Sequence, residues 1–141
     1  MPAPPRHVGG RAVSHHNIPG IDESASYAHV VESGDLVCIA GQVAADSAEG
    51  RAVLGEIGAE TRVVMRQVQT ILWARRLTFD DVVRIDIHLI DLDDFQAMNA
   101  VYREFFVPGR LPARTCVEVR RLFGNCRIEV TAMARRRTPA P

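Results

Sequence analysis

The chain has 141 residues, 47% hydrophobic and 24% charged, which suits one domain built on one core and excludes a fibre or wholesale disorder. Its 17 basic and 17 acidic residues give a formal net charge of zero, so no field over the whole molecule draws in nucleic acid or an anionic membrane. All 17 basic residues are arginine, which excludes a lysine Schiff base, lysine-anchored pyridoxal phosphate and a Walker A phosphate loop.

Residues 1–20 carry Pro2, Pro4, Pro5, Gly9, Gly10, Pro19 and Gly20 without periodicity and are expected to form a flexible N-terminal arm, followed by one domain over 21–137 and a short tail at 138–141. His15 and His16 stand in this arm without the carboxylate or cysteine partners a metal site needs, so no metal is expected. Cys38, Cys116 and Cys126 are an odd number without CxxC or zinc spacing. With no signal-peptide pattern and no apolar run long enough to span a membrane, they point to a reduced, cytoplasmic protein.

A first strand is expected from Tyr27 to Val31, a turn at Ser33-Gly34-Asp35, and a second, nearly continuous apolar strand from Leu36 to Ala40 ending at Gly41-Gln42. Asp46 to Gly50 reads as a loop. Ile57, Thr61, Val64, Val68, Ile71 and Leu72 recur at helical spacing and predict a helix over 57–76 covering a sheet face, with Trp73 packed late in it. Val83, Ile85, Ile87 and Leu89 alternate with Arg84, Asp86 and His88 in a third strand, on whose polar face His88 falls. Asp91-Leu92-Asp93-Asp94 caps a second helix through Phe95, Met98, Tyr102 and Phe105, which ends before Pro108-Gly109.

The last two strands alternate as well. Arg114, Cys116, Glu118 and Arg120 face away from Thr115, Val117 and Val119. Ile128, Val130, Ala132 and Ala134 face away from Arg127, Glu129, Thr131 and Met133. A hairpin turning between Phe123 and Gly124 sets Val119 opposite Ile128 and Val117 opposite Val130, at the cost of opposing Glu118 to Glu129 and Arg120 to Arg127. The element order ββαβαββ predicts one mixed sheet with two helices packed on one face. Arg114, Glu118, Arg120, Arg127 and Glu129 are then expected on the helix-free face, a pattern suited to a symmetric oligomer closing over shared clefts.

Pro112-Ala113-Arg114-Thr115-Cys116-Val117-Glu118-Val119, followed by Ile128-Glu129-Val130-Thr131-Ala132, resembles the signature of the RidA/YjgF family, small proteins that hydrolyse reactive enamines and imines. Gly34-Asp35-Leu36-Val37 leading into Gly41-Gln42, Asp91-Leu92-Asp93-Asp94-Phe95 with Asn99 and Tyr102, and Phe105-Phe106 extend the resemblance over roughly residues 25 to 136. It implies a chorismate-mutase-like α/β (α+β) fold, a homotrimer with inter-subunit clefts, no cofactor, and hydrolytic deamination of 2-aminoacrylate and related 2-imino acids to 2-keto acids and ammonia.

By the same resemblance Arg114 grips the substrate carboxylate and Glu129 positions and activates the attacking water, while Tyr27, Gly41, Asn99 and Cys116 line the cleft. In the hairpin register Arg114 and Glu129 stand four residues out of step, roughly 13 Å apart along the strands, a gap that a ligand and water would have to bridge. The chain departs from the family pattern at Ala40, where many members have serine, at Ala25-Ser26 in place of Gly-Pro, and at His29 in place of a glutamine.

Two other functions fit parts of the pattern. A non-catalytic trimer could use Arg114 to hold a carboxylate metabolite. RNA cleavage or translation inhibition is opposed by the lack of a basic aromatic surface, Arg135-Arg136-Arg137 reading as a solvated tail.

Overall fold

The computed structural model describes residues 1–3 and 12–137; the remaining stretches, 4–11 of the expected arm and the expected tail 138–141, lie outside the described residues. Six strands form one mixed sheet: β1 Val13–His16, β2 Val30–Ser33, β3 Leu36–Val43, β4 Val82–Leu89, β5 Ala113–Glu118 and β6 Ile128–Arg135. A short helix α1, Ala48–Arg51, precedes the two main helices, α2 Ile57–Ala74 and α3 Phe95–Arg103. Spatial order is β1-β2-β3-β6-β4-β5, so the sheet is mixed, with β4 and β5 its parallel pair.

Local chemistry explains most boundaries. Gly34 at φ 59° makes the two-residue turn between β2 and β3 that an L side chain would strain. Glu56 caps α2 by accepting hydrogen bonds from the amides of Gly58 and Ala59. The helix ends two residues short of the predicted Arg76, which leaves Arg76 in the left-handed region at φ 60°. Val64, Val68, Ile71 and Leu72 are buried beneath α2 as the periodicity predicted. Trp73, expected to pack, is 61% exposed on the outer surface of α2. The predicted loop from Asp46 to Gly50 is instead a 3-10 turn, Ala44–Asp46, followed by α1, capped by the Ser47 hydroxyl.

The predicted C-terminal hairpin does not form. β6 lies between β3 and β4, antiparallel to both, and β5 lies on the far side of β4 at the sheet edge. Burial explains the choice. Ile128, Val130, Ala132 and Ala134 are all buried, so β6 needs partners on both sides, whereas β5 is six residues long and half exposed. The crossover β4–α3–β5 supplies the parallel neighbour that a strand, helix, strand run favours. The opposed pairs Glu118/Glu129 and Arg120/Arg127 are thereby avoided.

The helix-free face is also less charged than expected. Arg114 is level with Ile85 and lies on the helix side, against α3. Glu118, level with Leu89, accepts a hydrogen bond from the Leu92 amide, and Arg127 pairs with Asp94. Of the five charges, the strand registers leave Glu129 on the open face. A register shift between Val82 and Arg84 also turns Val82 inward and leaves Val83 exposed, reversing the predicted alternation at the start of β4.

Residues 13–16, read as part of the arm, pair with β2 as an edge strand. Neighbouring strand residues point to opposite faces, so His15 and His16 cannot both turn to one ion. The first predicted strand begins later, at Val30, because the buried His29 ring serves the preceding segment: its Nδ1 accepts from the Ile18 amide at 2.8 Å and its Nε2 meets the Asp22 carbonyl at 2.9 Å. Glu60, in the first turn of α2, is fully buried and accepts from the amides of Gly55 and Arg127.

Arg136 and Arg137 are held rather than solvated. Arg137 pairs with Asp81, and Arg136 together with Arg75 converges on Glu32, whose side chain is 13% exposed. Burial alone would raise the Glu32 carboxyl, but the hydrogen bonds and charges of Arg75 and Arg136 outweigh it and hold it below its ordinary value. A depressed carboxyl contributes stability that is complete above the unfolded-state value and lost as pH falls through the folded-state one. Replacing Glu32 by Gln is therefore expected to cost about 2 kcal/mol at neutral pH by leaving two guanidinium groups without their counter-charge. In urea melts the gap between wild type and variant should close below about pH 4; a gap constant with pH would show that the carboxylate charge is not what holds β2 to the end of β6.

Candidate functional site

The residues singled out in the sequence fall into two groups on opposite faces of the sheet. The first is built around an irregularity in β3. Between Ile39 and Gln42 the pairing with β6 slips, and Gly41 sits in the slip. Gln42 turns into the core, where its Nε2 donates to the Ala40 carbonyl at 2.9 Å and its Oε1 accepts from Gln67 Nε2 at 3.2 Å. Gln67 also donates to the Val43 carbonyl and accepts from the Ser47 hydroxyl, so α2 pins the bulge from below.

The bulge exposes Gly41 to Glu129 on the adjacent strand. A Cβ at residue 41 would lie 2.1 Å from Glu129 Oε1, so only glycine lets the carboxylate lie against the backbone here. Tyr27, 46% exposed, stands on the other side of the same cavity, about 610 Å³ in volume, whose wall also includes Ala40, Val43 and Asp46. The Tyr27 hydroxyl is raised above its usual value by burial, and further by the negative charges of Asp46 and Glu129. Among the described residues the cavity lining holds two carboxylates, Asp46 and Glu129, and no cation.

Two features the sequence reading did not place here complete this wall. Asp46 ends the 3-10 turn after β3, its carbonyl accepting the Asp22 amide at 2.8 Å. Phe123, 87% exposed, stands at the cavity mouth on a turn in which Gly124 (φ 64°) is pressed against Ala45, a Cβ there falling 2.4 Å from that of Ala45. The Cys126 thiol accepts from the Ala45 amide and ties the same two turns together. His88 is directly opposite Glu129 in the β4–β6 ladder, and its Nδ1 is buried without a hydrogen bond. None of these carried a motif; each reaches the site through strand order or turn packing.

The second group lies on the helix side of edge strand β5. Arg114 Nη1 donates to Asn99 Oδ1 at 2.7 Å, and its guanidinium carbon lies 4.7 Å from the centre of the Tyr102 ring and 5.4 Å from that of Phe95. Burial raises the Tyr102 hydroxyl, with Arg114 pulling the other way. Cys116, two residues on, is likewise raised by burial and lowered by Arg114. Among the described residues Arg114 has no carboxylate partner. β5 thus presents a planar cation, held against two rings of the α3 segment, with most of its donors uncommitted among the described residues.

Register separates the groups. Arg114 is level with Ile85 and Glu129 with His88, three positions along β4 and therefore on opposite faces, roughly 10 Å apart along the strands and two strands apart across them. One chain brings Tyr27, Gly41 and Glu129 together, and separately Asn99, Arg114 and Cys116. It does not bring the two sets together.

Residues 18–136 match the family described as endoribonuclease L-PSP. A RutC family protein of Pyrococcus horikoshii is 38% identical over 108 residues, 77% of this chain and 85% of that protein. The 2-iminobutanoate/2-iminopropanoate deaminase of Salmonella typhimurium is 37% identical over 113 residues, 79% and 88% of the two chains. The crystal structure of the YjgF gene product from E. coli superposes with a TM-score of 0.78 at 30% identity, covering 88% of this chain and 99% of that one. By matched length, by identity to these relatives and by fold, this chain belongs to the endoribonuclease L-PSP family, the family of the RidA/YjgF proteins.

Proposed function

We propose that the protein hydrolyses 2-imino acids, formed from enamines such as 2-aminoacrylate, to 2-keto acids and ammonia, at a site shared between subunits of a homotrimer. The observation that supports this most is the division of charge within one chain. Among the described residues, an arginine without an ion pair sits at a sheet edge, and a carboxylate without one lies over Gly41 on the opposite face. A 2-imino acid has the matching pattern, an anionic carboxylate beside a cationic iminium.

In this reading the guanidinium of Arg114 from one subunit takes the substrate carboxylate in a two-point grip, its plane held by Asn99, Phe95 and Tyr102. The iminium carbon then lies in the cavity of the neighbour, where Glu129 removes a proton from water as the oxygen attacks that carbon. The carbinolamine breaks its C–N bond and releases ammonia. The fixed carboxylate and aimed water supply most of the rate by orientation. Because the two patches differ, the contact between copies is head to tail and closes into a ring, for which the trimer implied by the family resemblance serves. Two carboxylates and a single arginine make a poor host for a phosphodiester, which argues against RNA as substrate.

A pyridoxal enzyme releasing 2-aminoacrylate, coupled to this protein with pyruvate or ammonia as readout, tests the reaction. Wild type should accelerate product formation, and Arg114→Ala and Glu129→Gln should each lower kcat/KM by about 100-fold or more. An Arg114→Ala protein that no longer binds carboxylates, beside a Glu129→Gln protein whose binding is intact and a wild type that does not accelerate the reaction, would instead identify a metabolite-binding trimer. Mixing the two inactive variants tests the shared site: hybrid rings should regain activity that neither parent has, and no recovery from rings shown to contain both variants would overturn it. Gly41→Ala should lower kcat by roughly 10-fold or more with little change in melting temperature, since the new methyl displaces a flexible carboxylate rather than backbone.

A further inference from the structure

The proposed hydrolysis needs a base for the attacking water and an acid for the departing amine, and Glu129 can fill only the first role at the outset. We propose that the carboxyl of Asp46 holds the proton that the amine takes as it leaves. This assignment rests on the deaminase reading and adds to it a residue in the same cavity.

The position of Asp46 carries the argument. It lines the cavity with Glu129 and Tyr27, close enough that both carboxylates act on the Tyr27 hydroxyl. Among the described residues its carboxyl has neither an ion-pair nor a hydrogen-bond partner. The nearest arginine, Arg51, is committed to Asp22 at 2.7 Å and to the Ala45 carbonyl at 2.9 Å. Asp22 itself is held beside Asp46 by a backbone hydrogen bond, and its segment is fixed by the His29 ring. Asp46 is therefore a carboxyl facing a cavity that already contains a second carboxylate, with a third behind it. A carboxyl set beside another and left without a partner holds its proton more readily than a free one.

The surroundings act in the same direction. Burial raises the Asp46 carboxyl above its ordinary value and Asp22 raises it further; His29 and Arg51 oppose them but do not reverse the shift. Among the described residues Tyr27, Glu129, the Cys126 thiol, His88 opposite Glu129, and Arg121 in the adjoining pocket beside Phe123 and Glu129 are the remaining titratable groups around the cavity, and none makes an ion pair with Asp46. The proton balance then closes. Water adds to the iminium carbon and gives one proton to Glu129. Asp46 gives its proton to the carbinolamine nitrogen, and the C–N bond breaks with its electron pair leaving on nitrogen. The carbinolamine hydroxyl becomes the ketone and returns its proton to Asp46. The proton on Glu129 leaves with ammonia as ammonium, so both carboxyls end as they began.

The test is the pH dependence of kcat for a 2-imino acid in wild type, Asp46→Asn and Asp46→Glu. In wild type, kcat should fall as pH rises through the Asp46 titration, because the protonated form is the active one. Asp46→Asn should lower kcat by about 100-fold, leave KM nearly unchanged and remove that falling limb, and Asp46→Glu should restore part of both. Carbon-13 NMR of the labelled aspartate carboxyls in the wild-type protein gives a readout that needs no variant to fold: one carboxyl should titrate above the ordinary aspartate range. Asp46→Asn with the wild-type rate and pH profile, or an Asp46 carboxyl fully ionised across the falling limb, would overturn the assignment while leaving the deaminase reading standing. A wild type inactive on every imine would overturn both.

Discussion

The position of β6 between β3 and β4 is the constraint on which the other features depend. Its Ile128, Val130, Ala132 and Ala134 are buried on the side that α2 covers, and the strand period of two then sends Glu129 to the opposite, helix-free face. With β6 in the centre, β5 must pair outside β4, and the register of that parallel pair turns Arg114 toward α3. One burial requirement thus determines that the base candidate and the carboxylate grip face opposite ways. A hairpin of β5 with β6 would have put both on one face and opposed Glu118 to Glu129.

The polar network beneath the site has a structural origin of the same kind. The bulge in β3 would leave backbone groups unsatisfied unless Gln42, Gln67 and Ser47 supplied partners, and the same bulge brings Gly41 under the Glu129 carboxylate. His29 works similarly at a distance. Its two ring nitrogens fix the segment from Ile18 to Asp22, which sets Asp22 beside Asp46 and so shapes the charge of the cavity.

Within the proposed function, the chain divides the substrate as it divides its own charges. Arg114 and the rings around it are suited to an anion, the Asp46–Glu129 cavity to a cation and to proton transfer. Phe123 and Tyr27 at the mouth offer apolar contact to a side chain, so substrate range is expected to vary with that wall more than with the reacting groups.

Much of this was legible in the sequence because it is local. Helical spacing located α2 and α3, a continuous apolar run located β3, alternation located β4 and β6 with most of their inner faces, and Gly34 marked its turn. The Pro112–Val119 and Ile128–Ala132 segments pointed to the family and, with the resemblance, to Arg114 and Glu129. Pairing was not legible. The partner of a strand depends on how much surface every other strand must bury, and no pattern within residues 114–134 records that β4 stands between β5 and β6. For the same reason Asp46 read as loop and Trp73 as packed. The sequence by itself determined the elements, the inner faces and the chemical groups available. Only the tertiary structure decided which of those groups share a cavity and which lie across the sheet from one another, because that follows from strand order and register, which are set by the burial of the whole chain.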